Sequence, residues 1–135
     1  MLHDVDYEKI GDAWERHGIL AGEILKGKVS EEVIRAIKAH NFERTGVIPE
    51  SRMEKALICC DAISGLLVAC ALVMPSKKLS EVRVKTVKKK FKDKDFARGA
   101  DRERVLFCEK VGVPRERFFE ITLEGLKEYA EKIGL

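Results

Sequence analysis

The chain has 135 residues, 45% of them hydrophobic and 36% charged, with a formal net charge of +3 at pH 7. That length fits one domain, residues 1–135, burying about two thirds of its unfolded surface, and the composition is that of a soluble globular protein with no second domain. The start, Met1-Leu2-His3-Asp4-Val5-Asp6, lacks the basic residues and apolar run of a secretory signal, so a cytoplasmic, reducing location is expected.

Apolar residues recur at three- and four-residue spacing and no segment alternates in steps of two, so the expected class is all-α, with five to six helices. The first spans about Trp14 to Lys26 and stops at Gly27. The second begins at Ser30, a capping residue, with Glu31 and Glu32 in the first turn where the helix dipole favours negative charge. It buries Val33, Ile34 and Ile37 and ends near His40. A loop holding Gly46 and Pro49 leads to a central helix, about Ser51 to Val73, which Pro75 terminates. This helix is apolar nearly all round, which predicts neighbours on every side. A basic helix from about Ser80 to Lys92 follows, then one capped by Asp101 running to Lys110, and a last one opened by Pro114 and running to about Ile133.

The apolar run Ala56–Met74 approaches the length of a membrane span, but Asp61 lies inside it, with Ser64 and Gly65 close behind. A buried core helix explains the run, and no membrane partner is expected. Cys59, Cys60, Cys70 and Cys108 show no C-x-x-C spacing, and all four read as reduced core thiols.

The candidate chemistry begins with the three histidines, all before residue 41. His3 and Asp4 are adjacent, and an imidazole beside a carboxylate can ligate a divalent cation where the backbone holds them. Asp61 sits mid-helix among apolar residues, where an ionised carboxylate needs a partner: an Arg or Lys, a proton, or a metal. His17 stands at the start of its helix and His40 at the end of the next, so one connection can bring both to one rim. There they are either a second set of neutral metal ligands or, respectively, a surface residue and a C-terminal cation favourable to the helix dipole.

The segments His3-Asp4-Val5-Asp6-Tyr7-Glu8, Trp14-Glu15-Arg16-His17-Gly18, Ile34-Arg35-Ala36-Ile37-Lys38-Ala39-His40-Asn41 and Asp61-Ala62-Ile63-Ser64-Gly65-Leu66 together resemble HD-domain proteins of the HDIG type in order and spacing. The later stretches Pro75–Leu79 and Cys108–Gly112 extend the likeness over essentially the whole chain. The resemblance implies an HD-like helical bundle with His3, Asp4 and Asp61 as metal ligands and His17 and His40 in the positions of ligands to a second metal. The family's upstream first histidine has no counterpart, so the chain is expected to be short at its N-terminus. An apolar face left uncovered there would favour a homo-oligomer.

The implied function is hydrolysis of a nucleotide or other small phosphorylated compound, with a divalent Mn, Fe, Ni, Co, Mg or Zn ion and Asp4 as the water-orienting carboxylate. Residues 77–98 carry ten Lys or Arg against three acids, a net of +7 against −4 for the rest of the chain. Such asymmetry can steer a phosphorylated ligand, or be a solvated helix face with aliphatic stems over the core. The rival reading is therefore a catalytically degenerate HD-like module that binds a partner or nucleic acid through this segment.

Overall fold

The helical spacing of the sequence becomes helix in a computed structural model of the chain, which describes residues 2–135 and has no strand among them. The α-helices are α1 (Tyr7–Ile10), α2 (Ile19–Leu25), α3 (Glu31–Ala39), α4 (Phe42–Thr45), α5 (Arg52–Leu72), α6 (Val84–Lys92), α7 (Arg102–Val105), α8 (Phe107–Lys110) and α9 (Arg115–Glu128). Short 3₁₀ turns occupy Leu2–Asp4, Trp14–Arg16, Leu79–Glu81 and Ala130–Ile133. The class matches expectation, but the helices outnumber the five to six foreseen because several are interrupted. The expected helix over 14–26 breaks where His17 is extended and Gly18 has φ +88°. That over 101–110 divides at Leu106 into α7 and α8.

The chain groups into two compact units, residues 1–58 and 59–135, and α5 runs through the division. In the first unit α2 and α3 pack through Ala21, Leu25 and Ile37, with Val29 and Val33 beside them. Gly22 permits the approach: a Cβ there would lie 2.8 Å from Lys38 Cε and 3.2 Å from Ile34 Cγ2. Ser30 caps α3 as expected, its hydroxyl accepting from the Val33 N–H. The start of α5 is a reciprocal capping box. Ser51 Oγ accepts the Glu54 N–H at 3.2 Å, and Glu54 Oε2 accepts the Ser51 N–H at 3.1 Å. Glu54 is buried and takes an ion pair from Arg35 Nε of α3 at 2.9 Å.

In the second unit α5 contributes Cys59, Ile63, Leu66, Leu67 and Cys70, a stripe at helical spacing, to a core shared with Leu79, Val82, Val87, Val105, Phe118 and Phe119. The opposite side of α5 differs from expectation. Leu72 and Val73 are half exposed and Cys60 and Gly65 face solvent, so the helix is not enclosed all round and only Cys59, Cys70 and Cys108 are core thiols. By length and composition α5 could cross a membrane, alone among the described helices. Its buried stripe is also what a core helix shows. Between α6 and α7 the chain is held by Arg102, whose guanidinium donates to the carbonyls of Lys90, Phe91, Asp93, Phe96, Ala97 and Ala100.

Candidate metal centre

The site of the first unit is built around Asp6, which stands just ahead of α1 and is wholly shielded from solvent. Its Oδ2 accepts the N–H groups of Gly18 at 2.8 Å and Ala21 at 2.9 Å, satisfying donors at the start of α2. Its Oδ1 lies 2.8 Å from His17 Nδ1. Burial pushes the Asp6 carboxyl up, but the hydrogen bonds from Gly18, His17 and Ala21 outweigh it and hold the group below the usual carboxylate range. An ionised carboxylate only accepts, so His17 Nδ1 carries the proton and the lone pair of a neutral ring is on Nε2.

His40, at the C-terminal end of α3, reaches the same arrangement by another partner. Its Nδ1 donates to the carbonyl of Ile37, an obligate acceptor, which again leaves the lone pair of a neutral ring on Nε2. The two Nε2 atoms then face one another 3.0 Å apart in buried surroundings. Two lone pairs at that separation repel unless a cation lies between them, either a shared proton or a metal. Nitrogens bound about 2.1 Å from one metal are about 3.0–3.4 Å apart at bond angles of about 90–110°, so the spacing fits a chelated ion.

Asp4 supplies a third ligand atom, and the ligand atoms of Asp4, His17 and His40 all lie within 4.8 Å of one another. Asp4 Oδ1 is 3.8 Å from His17 Nε2, while its Oδ2 is 3.0 Å from His3 Nε2. The close approach of His3 Nε2 is the main reason the Asp4 carboxyl sits below its ordinary range, burial opposing it and the charge of His3 adding to it. His3 is itself buried, its ring edge-on to His40 at 5.0 Å. Buried His/Asp groups able to hold a metal are thus present, with two imidazoles and a carboxylate as donors suited to a borderline divalent ion.

Gly18 makes the His17 position attainable. It has φ +88°, and an added Cβ would meet the Ile37 carbonyl oxygen at 3.0 Å and His40 Cε1 at 3.6 Å. Asn41 fixes the same corner by donating to the His17 carbonyl at 3.1 Å. Tyr7 and Trp14 stand on the outside, both exposed, with ring centroids 5.4 Å apart and each 6.3 Å from the His17 ring.

Of the residues singled out in the sequence, the first unit brings together His3, Asp4, His17 and His40. Asp61 is half-buried on α5 and lines a cavity that Arg104 also lines. Asp6 is the residue sequence reasoning missed. It lies inside the quoted His3–Glu8 motif, but its partners stand 11 to 15 residues further along.

Comparison of the chain with protein-family models, with curated proteins and with solved structures gives no match. The HD resemblance therefore rests on the sequence motifs quoted above.

Proposed function

We propose that the chain is a metal-dependent phosphohydrolase acting on a nucleotide or another small phosphorylated compound, with Asp4, His17 and His40 holding the ion. The observation that carries the reading is the pair of Nε2 atoms 3.0 Å apart, each ring oriented by a hydrogen bond at its other nitrogen. Imidazoles held this way by a carboxylate and a backbone carbonyl are preorganised for a metal, because their outer nitrogens fix both tautomer and ring plane. A divalent ion in such a site supplies Lewis acidity toward phosphate oxygens and makes water a better nucleophile near neutral pH.

Asp4 is the member of the group that meets solvent, its side chain being 38% exposed. Its Oδ1, on the His17 side, would hold the ion and orient a water bound to it, the role the HD resemblance implies. The exposed Tyr7–Trp14 pair beside His17 supports a planar group such as a nucleobase on the substrate, since an aromatic face stacks on any base.

Hydrolysis of p-nitrophenyl phosphate and of AMP, measured on metal-free protein and after adding Mn, Fe, Co, Ni, Zn or Mg, tests the reading. Turnover should need metal and fall about 100-fold or more in Asp4→Asn and His17→Ala. Protein that binds metal at His17 and His40 yet hydrolyses no phosphate ester with any of these ions would reject the hydrolase while keeping the site.

A further inference from the structure

We propose that the second unit holds a binding site for a small organic phosphate of nucleotide size, formed where α6, the turn at 98–101 with the start of α7, and the first turn of α9 meet. A cavity of about 810 Å³ opens there. Sites for small organic ligands usually measure about 300–1,000 Å³. All its lining residues lie between Lys88 and Phe119, so it shares nothing with Asp4, His17 or His40.

The charges around the cavity divide into those already engaged and those left over. Lys88 is paired with Glu116 at 2.9 Å, Arg102 is occupied by backbone carbonyls, and the Asp101 carboxylate accepts the N–H groups of Glu103 and Arg104. What then faces the space is Lys92, Lys94, Arg98 and Arg115, all exposed, against the acids Glu103 and Asp101, with Arg98 shared with Asp95 at 2.9 Å. Several cations converging on one concavity raise the local concentration of an anion and can hold a phosphate by charge-assisted hydrogen bonds.

The wall beneath them is apolar. Phe91 and Leu106 are half-buried and line the cavity together with buried Phe119, whose ring lies 5.1 Å from that of Phe91. The Arg115 guanidinium lies 5.7 Å from the Phe91 ring centroid, so cation and aromatic face border the same space. Inorganic phosphate would leave this surface uncovered, and a neutral aromatic compound would leave the cations unmatched. A ligand with a phosphate at one end and a base-like ring at the other satisfies both.

Titration of the full chain with the fluorescent nucleotide trinitrophenyl-ATP, with and without EDTA, tests the site. Saturable binding is expected, unchanged by EDTA, displaced by AMP and ATP, displaced by inorganic phosphate only at much higher concentration, and not displaced by adenosine. Lys92→Glu combined with Arg115→Glu changes exposed residues and should weaken binding at least about tenfold while leaving the far-ultraviolet circular dichroism and Tm unchanged. Absence of saturable binding, equal affinity in the double variant, competition by phosphate as strong as by AMP, or loss of binding in EDTA would each overturn the proposal. The last outcome would place the nucleotide at the metal centre instead.

Discussion

Asp6 serves three donors with two oxygens, and replacing it by Asn removes an acceptor and introduces a donor where the Gly18 and Ala21 N–H groups and His17 Nδ1 all need acceptors. Asp6→Asn should therefore destabilise the fold by about 1.5–3 kcal/mol, measured by denaturant unfolding in EDTA. Metal affinity should fall about 10- to 100-fold as His17 loses its orientation. Gly18→Ala attacks the same ring from the backbone, placing a side chain at φ +88° and 3.0 Å from a carbonyl oxygen. A loss of about 1–3 kcal/mol is expected, with a parallel loss of metal binding. His17 and His40 were recognisable in the sequence because the ends of consecutive helices come close in space. Asp6 was not, since neither periodicity nor local spacing reports a contact eleven residues away made through a break in a helix. Asp61 stands out in the sequence by its apolar neighbours, but composition does not report how far its side of α5 is covered, and the side chain is half-buried.

Among the elements, α5 shows most clearly what pattern does and does not specify. Its start and end near Ser51 and Pro75 were readable, and Ser51-Arg52-Met53-Glu54 contains the S-x-x-E signature of the capping box that the structure forms. Its expected enclosure failed because an apolar composition does not show that a neighbouring element exists to cover each face. The expected continuity of the first helix fails for a related reason: its apolar spacing persists through Gly18, while the break is set by long-range contacts with Asp6 and α3. Burial raises the Glu54 carboxyl, but the N–H groups of Glu50 and Ser51 and the charge of Arg35 outweigh this and lower it from 4.5. A lowered folded-state value stabilises the native chain above the unfolded value and ceases to do so as pH falls through the folded one. Glu54→Gln should thus cost about 1–2 kcal/mol at pH 7, and the difference from wild type should shrink progressively below about pH 4.5 in urea unfolding series. A flat difference across that range would contradict the capping role. The solvent face of α5 predicts that Cys60 alone reacts rapidly with Ellman's reagent in native protein, whereas burial pushes the Cys70 thiol up to about 11.

For the whole molecule, the all-α class was legible because nearly every segment is helical in spacing, and the charge asymmetry was visible in the run from Lys77 to Arg98. The division into residues 1–58 and 59–135 was not, because it falls inside α5, where no proline, glycine or polar linker marks it. The group of Asp4, His17 and His40 comes from the first unit and the basic cavity, residues 88–119, from the second. The proposed function depends on the cation between His17 and His40 being a metal and not a proton. Elemental analysis and calorimetric titration of protein purified without chelator, with melting curves in EDTA and in excess Mn or Zn, decide between them. About one equivalent of metal per chain is expected, lost in His17→Ala and His40→Ala, with native stability raised by about 2.7 kcal/mol at a hundredfold excess over Kd. No bound metal and identical melting curves under both conditions would leave a shared proton between the two rings and contradict the metal site.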